Sequence, residues 1–316
     1  MVIGGPTLKL SNGVVMPQVG LGTWLSTPEE VKAAVKAAVK NGYRLIDTAK
    51  LYENEQAIGD AIQELIKEGV VKREDLFITT KAFVTELAPG KLEPALRASL
   101  KRLQMDYVDL YLAHMPATMN DDMSDKINVP IEEVWKGFEQ VYNLKLARAV
   151  GVSNTNNDQI ARILKSSSVP VHNSQVELHL YFPQHEHVDF CKKNNIIVTS
   201  YATLGSPGRK EAVFPDGKKI DWGDAPLELE DANVKKLGEK YNKSPAQVLL
   251  RYAMDRGLAI IPKSINEKRI IENFQLFDFK LSQDEIKLLE STKYNKRLFL
   301  HPFMIGHIED AFKSER

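Results

Sequence analysis

The sequence predicts a single (β/α)8 barrel, also called a TIM barrel, and three observations indicate this fold. Eight short apolar runs recur along the chain, and segments with helical spacing lie between them. Seven successive runs end in polar residues, as strands do at the carboxyl-terminal face of such a barrel. The 316 residues, 43% hydrophobic and 27% charged, suit one large core and exclude a disordered chain. We therefore expect residues 1–316 to form one domain.

The predicted barrel strands are eight in number. In chain order they are residues 19–22, 44–47, 76–81, 107–114, 147–154, 171–177, 196–201 and 258–263. We expect an N-terminal β-hairpin before them and a C-terminal loop, residues 297–310, over the barrel mouth. A doubly wound sheet is the competing fold, but its first turn normally carries a third glycine for a nucleotide. Here Gly20 and Gly22 lead into Thr23 and Trp24 without one, which favours the barrel.

Helical periodicity supports the segments between the strands. Two apolar stripes have the spacing of a helix face: Val31, Val35, Ala38 and Val39 in one segment, and Leu92, Leu96, Leu100 and Leu103 in another. Residues 244–247, Ser-Pro-Ala-Gln, have the pattern of a capping box with proline at the first helical position. A helix is therefore expected to begin there.

Charge and cysteine content exclude several classes of protein. The 42 basic residues equal the 42 acidic ones, which argues against a broad surface for nucleic acid or an anionic membrane. Cys191 is the only cysteine, so an internal disulfide and a cysteine-cluster metal site are excluded. Residues 1–13 lack the pattern of a signal peptide, and no apolar run reaches about 18 residues. We expect a cytoplasmic protein with no nucleic-acid or membrane partner.

Polar side chains end the second to eighth predicted strands. They are Asp47, Lys81, His114, Ser153 with Asn154, Gln175 with Glu177, Tyr201 and Lys263. Each has an ordinary structural explanation when taken alone, such as capping of the next helix by Asp47. Because strand ends of a barrel converge on the face that carries active sites, the whole set points to a site there.

Three of these residues, Asp47, Lys81 and His114, define a chemistry around the hydroxyl of Tyr52, which lies five residues after Asp47. A free tyrosine has a pKa near 10, and a nearby cation lowers that value by stabilising the phenolate. Lys81 supplies a cation, Asp47 keeps it protonated, and His114 can donate a hydrogen bond to a carbonyl oxygen. The sequence thus predicts a site that protonates a carbonyl group and needs a separate source of hydride.

The chain resembles the aldo-keto reductase family, in particular aldose and aldehyde reductases. The segments that carry the resemblance are 20–24 (GLGTW), 43–59 (YRLIDTAKLYENEQAIG), 78–81 (ITTK), 109–114 (DLYLAH), 151–154 (GVSN), 174–179 (SQVELH), 201–208 (YATLGSPG) and 261–274 (IPKSINEKRIIENF). The resemblance implies NADPH-dependent reduction of small aldehydes and ketones to alcohols, with a catalytic tetrad of Asp47, Tyr52, Lys81 and His114. We expect a monomer. The alternative is a non-catalytic structural or regulatory protein of this fold that binds NADPH, but the intact tetrad favours the enzyme.

The resemblance also assigns residues to the cofactor. From nicotinamide to adenine they are Thr23 and Trp24 beside the ring; Ser153, Asn154 and Gln175 at its carboxamide; Tyr201 stacked on it; Leu204, Gly205 and Ser206 over the pyrophosphate; Lys263, Ser264 and Arg269 at the 2′-phosphate; and Glu272 and Asn273 at the adenine. Lysine and arginine suit a dianionic phosphate, as a point charge and a planar fork. Arg269 is also expected in the first turn of a helix opened by Asn266.

The substrate pocket departs from the common family pattern. The resemblance places Trp24, Tyr52, Phe83, His114 and Met115 around the substrate, and tryptophan is common in the family where Phe83 and Met115 stand. A methionine wall is adaptable, so we expect both aliphatic and aromatic carbonyl compounds to be accepted. For the C-terminal stretch, contact with substrate and a purely structural role both stay open.

Three histidines and the cysteine are candidates for other chemistry. His185 and His187 could offer two metal ligands, but no acidic residue at a standard zinc spacing accompanies them or His179. We expect no metal. Pro183 places the pair at a helix start, so we expect solvent-facing histidines. Cys191, in the same helix, has no histidine base at a diagnostic spacing and is expected to be a packing residue.

Overall fold

A β-hairpin precedes the barrel in the computed structural model, which describes residues 3–208 and 225–315. Leu10 and Met16 of the hairpin are buried in one apolar cluster with Leu45 and Phe77, which begin two barrel strands. The hairpin therefore closes the amino-terminal end of the barrel, and the predicted hairpin is confirmed. Its antiparallel strands are β1 (Thr7–Lys9) and β2 (Val15–Pro17).

Eight parallel strands form the nearly closed barrel, each paired with the next along the chain. Isolated parallel bridges from Val19 to Ile260 and from Gly22 to Lys263 join the last strand to the first. The predicted (β/α)8 fold is therefore confirmed. The strands are β3 (Gly20–Gly22), β4 (Leu45–Asp47), β5 (Phe77–Ala82), β6 (Val108–Ala113), β7 (Ala147–Ser153), β8 (Asn173–Glu177), β9 (Ile197–Tyr201) and β10 (Ala259–Ile260).

The last strand is shorter than the predicted 258–263. Pro262 has no backbone N–H to donate to a ladder, so regular pairing stops before it. Its carbonyl oxygen still accepts from Gly22 N at 3.2 Å. A side chain at Gly22 would place its Cβ 2.6 Å from the Ile261 carbonyl oxygen. Glycine at position 22 is therefore required by the close approach of the two chains at this junction.

Helices surround the barrel and begin where the sequence signals them. Ser244 and Gln247 form the predicted capping box, and the Asn266 side chain accepts from Arg269 N at the start of a short helix. The buried residues of the first and third helices include the predicted apolar stripes. In the described residues the helices are α1 (Pro28–Lys40), α2 (Glu55–Lys67), α3 (Leu92–Leu103), α4 (Ile131–Asn143), α5 (Asn157–Ser166), α6 (His185–Lys193), α7 (Ala232–Tyr241), α8 (Pro245–Asp255), α9 (Glu267–Glu272) and α10 (Gln283–Glu290).

The C-terminal stretch packs over the carboxyl-terminal face of the barrel. Met304 and Phe312 are buried in one apolar cluster with Phe83, which follows β5, and Met115, which follows β6. Because both latter residues stand just beyond strand ends, this cluster lies at the barrel mouth. The expected position of the C-terminal loop agrees with these contacts.

Across residues 3–208 and 225–315, no helix combines the length and the apolar character needed to cross a membrane.

Candidate active site

Lys81, at the carboxyl end of β5, is the centre of the site. Its side chain is fully buried, and Nζ donates to Asp47 Oδ1 at 2.5 Å, to the Thr48 carbonyl oxygen at 2.9 Å and to Tyr52 Oη at 3.2 Å. A lysine ammonium has three donors, so all of its hydrogen-bonding capacity is used and its position is fixed. The structure thus brings together three of the four predicted catalytic residues around one ammonium group.

Burial and charge act in opposite directions on this group. Burial lowers the pKa of Lys81, but Asp47 and Tyr52 raise it more, so the pKa lies above its ordinary value. Burial likewise raises the pKa of Tyr52 above its usual value near 10, and the attraction of Lys81 does not offset this. The expected net lowering of the Tyr52 pKa is therefore wrong, because desolvation of the phenolate outweighs the nearby cation. Tyr52 holds its proton at neutral pH, as a proton donor must.

His114 stands beside Tyr52, with ring centroids 5.6 Å apart in an edge-to-face arrangement. Burial, followed by the charges of Lys81 and His301, lowers the pKa of His114 well below its usual value. The imidazole is therefore neutral at physiological pH. Its Nδ1 atom is buried without a hydrogen-bond partner among the described residues. His114 thus has a ring nitrogen whose hydrogen-bonding capacity is not used within the described residues.

Two predicted cofactor residues hold Asp47 from the other side. Gln175 Nε2 donates to Asp47 Oδ2 at 2.7 Å, and Thr23 Oγ1 donates to the Asp47 carbonyl oxygen at 2.9 Å. The two carboxylate oxygens of Asp47 are therefore divided between Lys81 and Gln175. The residues predicted beside the nicotinamide and the tetrad form one continuous polar site.

Asn154 links three strand ends of the same face. Its Nδ2 donates to the His114 carbonyl oxygen at 2.9 Å and to Ser153 Oγ at 3.2 Å, while Oδ1 accepts from Tyr201 Oη at 2.7 Å. Its φ of 55° lies in the left-handed region, which asparagine adopts more readily than most residues. The strand ends that the sequence singled out are thus hydrogen-bonded to one another.

The residues predicted at the 2′-phosphate follow β10. Lys263 Nζ donates to the Leu25 carbonyl oxygen at 2.9 Å, and Ser264 Oγ accepts from Asn266 N at 3.1 Å. Arg269 is exposed, and its guanidinium makes no ion pair or hydrogen bond with residues 3–208 or 225–315. These three side chains stand close together in sequence around the start of α9, and the arginine is available to an anion.

The remaining predicted cofactor residues flank this group and β9. At the end of α9, Glu272 is half-buried and Asn273 is buried. Residues 204–206 follow β9, and Gly205 has a φ of 64°. A Cβ at Gly205 would lie 3.0 Å from the Glu228 side chain, so glycine suits both the backbone conformation and the space.

The C-terminal stretch also reaches the residues predicted to lie beside the nicotinamide. Phe299 meets Trp24 and Tyr201 edge to face, at centroid distances of 6.0 and 5.8 Å. Both partners are predicted cofactor residues. The tail therefore touches the predicted nicotinamide-binding aromatics as well as Phe83 and Met115.

Beside this site lies a buried ionic cluster that the sequence reasoning missed. His179 stands between Glu177 and Glu228, in contact with both carboxylates. Glu177 is a predicted strand end and His179 a candidate histidine, but the sequence did not predict their contact or the contact with Glu228. The alternation Glu-Leu-His over residues 177–179 was the available signal, since alternate residues of an extended segment face the same side. Glu228, far along the chain, gave no such signal.

The prediction that His187 faces solvent is wrong, whereas His185 is exposed as expected. Positions two apart on a helix differ by about 200°, so one of the pair turns inward. There His187 Nε2 lies 3.0 Å from Ser174 Oγ, and Nδ1 lies 2.7 Å from Asn157 Oδ1. Burial raises the pKa of the neighbouring Cys191 to about 12, as suits a packing residue. Among the described residues, no group of three or more His, Cys, Asp or Glu side chains could hold a metal ion.

Comparison with known proteins agrees with this geometry. The model of the Aldo/keto reductase family matches residues 18–293. Aldo-keto reductase family 1 member A1 of Gallus gallus is 41% identical over 315 residues, covering 94% of this chain and 91% of that protein. The solved aldose reductase from Schistosoma japonicum has a TM-score of 0.89 at 38% identity, covering 99% of this chain and 100% of that one. The Bombyx mori aldo-keto reductase, solved in complex with NADP, has a TM-score of 0.90 at 36% identity, covering 98% and 100%. The chain therefore belongs to the aldo/keto reductase family.

Proposed function

We propose that this protein reduces aldehydes and ketones to alcohols with NADPH, and that Tyr52 is the general acid. The observation that carries the proposal is the Lys81 ammonium, whose three donors are shared among Asp47, Thr48 and Tyr52. A buried cation at the hydroxyl of a protonated tyrosine favours the phenolate that remains after proton transfer. This arrangement has an evident use in catalysis and none in binding a nucleotide.

The reaction divides between cofactor and protein. NADPH, when bound, supplies the hydride that forms the new C–H bond at the carbonyl carbon, leaving NADP⁺. Tyr52 gives its proton to the carbonyl oxygen, so that the C=O double bond becomes a C–O single bond with an O–H group. Lys81 stabilises the resulting phenolate, and Asp47 balances the charge of Lys81. His114, neutral and beside Tyr52, orients the carbonyl oxygen by a hydrogen bond.

The residues present fit NADPH. Arg269 is an exposed arginine without a described partner, and Lys263 and Ser264 precede it with further donors. This donor set suits a dianionic 2′-phosphate. At the other end, Asn154 and Gln175 carry amides that suit a carboxamide. The binding of NADP by the Bombyx mori relative supports the same cofactor here.

The cofactor assignment predicts a selective effect at Arg269. Arg269→Ala should raise the dissociation constant of NADPH by about 10–100-fold, since a hydrogen bond to a charged group contributes about 1.5–3 kcal/mol. NADH binding should stay nearly unchanged because NADH lacks the 2′-phosphate. Both constants are measured by quenching of protein fluorescence.

The neighbouring Lys268, also exposed on α9, provides the matched control. Lys268→Ala should lower NADPH affinity much less than Arg269→Ala. Equal weakening of NADPH and NADH by Arg269→Ala would mean that the arginine supports the local fold rather than binding the phosphate. A wild-type preference for NADH would overturn the assignment.

We propose small aliphatic and aromatic carbonyl compounds as substrates, bound among Trp24, Tyr52, Phe83, His114 and Met115. The support is the apolar cluster at the barrel mouth, in which methionine stands beside Phe83. Unbranched methionine side chains adapt to several shapes. The pocket is therefore expected to accept carbonyl compounds of several shapes.

Met115→Trp should narrow this range. The larger, rigid ring should favour flat aromatic aldehydes over bulky ketones, seen as a changed ratio of kcat/KM across a panel of both. Met115→Leu, which conserves volume, should leave the ratio close to that of the wild type. If Met115→Trp keeps the wild-type ratio, residue 115 does not face the substrate.

The alternative function is structural or regulatory binding of NADPH without turnover. If the protein is a reductase, the near-ultraviolet absorbance of NADPH should decrease when the protein is mixed with NADPH and an aromatic aldehyde. Binding of NADPH without consumption across aldehydes, ketones and sugars would favour the alternative. We further propose that the protein acts as a monomer in the cytoplasm.

A further inference from the structure

A row of three buried charged side chains, here called the Glu177–His179–Glu228 array, lies beside the proposed active site. His179 Nε2 lies 2.9 Å from Glu177 Oε1, and His179 Nδ1 lies 2.5 Å from Glu228 Oε1. All three side chains are buried. The contact with Glu228 is an ion pair that lacks hydrogen-bond alignment. Because both ring nitrogens face carboxylates, a neutral imidazole would set a lone pair against an anion, so the geometry requires a doubly protonated ring.

The charges around the array agree with this state. Burial lowers the pKa of His179, but Glu177 and Glu228 raise it to about 9. The Arg297 guanidinium lies 3.9 Å from Glu177 Oε2 and balances part of its charge. The other ionisable side chains that line the small space beside His179 are Tyr181, Tyr294 and Lys296. His179 is therefore a cation at neutral pH, held between two anions.

One end of the array fixes the C-terminal tail. Glu177 Oε1 accepts from Leu298 N at 2.5 Å, and Oε2 accepts from Phe299 N at 2.9 Å. The ring of Phe299 then meets Trp24 and Tyr201. The Glu177 carboxylate thus holds the backbone that places Phe299 against Trp24 and Tyr201.

The other end of the array lies next to the segment after β9. Glu228 Oε1 accepts from Tyr181 N at 3.0 Å, so its carboxylate is held by the backbone as well as by His179. Its side chain fills the space next to Gly205, where a Cβ would come within 3.0 Å. Glu228 therefore stands between Gly205 and His179, and His179 stands between Glu228 and Glu177.

We propose that the Glu177–His179–Glu228 array couples cofactor binding at residues 204–206 to the position of Phe299, with Glu177 as a positioning residue for the substrate wall. The inference rests on the proposed function, and it further takes residues 204–206 to contact the pyrophosphate and Phe299 to face the substrate. A displacement of one side chain of the array displaces the next, because the three side chains are close-packed and paired.

The first test uses the wild-type protein and NADPH alone. Hydrogen–deuterium exchange at the Leu298 and Phe299 amides, which donate to Glu177, should slow when NADPH binds. In Glu228→Gln, which keeps the shape of the side chain and removes its charge, this protection should be lost even in saturating NADPH. His185→Gln, an exposed histidine on α6, is the matched control and should keep the protection.

The second test is selectivity. Glu228→Gln should lower kcat/KM for 4-nitrobenzaldehyde relative to propanal by about tenfold, because a charged contact is lost. The change should appear in KM. Only the aromatic substrate is large enough to need contact with Phe299. Glu177→Gln should have a similar effect. The double variant should lower this kcat/KM ratio little further than either single variant, because both residues act through His179. A merely structural role would instead lower the rates for both substrates in parallel.

The outcomes separate this inference from the proposed function. Two results would overturn the coupling even if the enzyme reduces aldehydes. One is an unchanged exchange rate at residues 298–299 when NADPH binds. The other is an equal decrease of kcat/KM for both substrates in Glu228→Gln. NADPH-dependent protection without any turnover supports the coupling and refutes the reductase. If the charge variants fold poorly, the wild-type exchange measurement decides alone.

Discussion

Tyr52→Phe should lower kcat for aldehyde reduction by about 10²–10⁴-fold, the usual contribution of a well-placed general acid. The change removes the hydroxyl that receives a hydrogen bond from Lys81 and keeps the ring that packs against His114. The dissociation constant of NADPH should hardly change, because the ring still occupies its place. Steady-state kinetics and fluorescence titration measure the two quantities on the same preparation.

The pH dependence of the wild type provides a control for this interpretation. Because burial raises the Tyr52 pKa above its usual value, the hydroxyl stays protonated through neutral and mildly alkaline solution. The kcat/KM for reduction should therefore stay level through neutral and mildly alkaline solution and fall only above the usual tyrosine pKa, as Tyr52 loses its proton. Near-normal turnover by Tyr52→Phe would refute the assigned proton donor.

Lys81→Met should abolish most activity and destabilise the fold. The variant leaves the Asp47 carboxylate buried and without its cation, a loss that typically costs about 3–5 kcal/mol. It also removes the charge that stabilises the Tyr52 phenolate, so kcat should fall to a similar degree as in Tyr52→Phe. Denaturant unfolding and steady-state kinetics measure the two effects separately.

The double variant Asp47→Asn/Lys81→Met separates stability from catalysis. Removing the unpaired charge should restore much of the free energy of unfolding, whereas turnover should stay low without a cation at Tyr52. Recovery of activity in the double variant would show that Lys81 serves only to neutralise Asp47. Wild-type stability in Lys81→Met would show that Asp47 finds another partner or a proton at little cost.

The strands and the positions of the proposed tetrad were predictable because their signals are local. Each strand core is an apolar run, and Asp47, Lys81 and His114 stand at or beside the ends of such runs. Helix starts at Ser244 and Asn266 follow from side chains that cap backbone groups within three residues. Where a position depends on neighbours in sequence, the pattern of residues was enough to predict it.

Other features depend on contacts between distant segments and were not predictable. Desolvation of Tyr52 arises from the elements that cover it, so the direction of its pKa could not be read from Lys81 alone. The inward turn of His187 depends on how α6 rotates against the barrel. The partner of His179 on its far side, Glu228, comes from a segment beyond β9.

The junction of β3 with β10 has a consequence for how the protein is made. The Gln18 side chain beside this junction donates to the carbonyl oxygens of Met254 and Leu258, 236 and 240 residues further along the chain. During synthesis, β3 therefore emerges from the ribosome long before its partner exists, and its free edge is exposed until nearly the whole chain is complete. Such long-range pairing is slow, and an unpaired strand edge favours aggregation. The barrel closes last at the junction that carries Thr23, Trp24 and Lys263, so an incomplete nascent chain holds Lys81 and its partners before the proposed nucleotide site is complete.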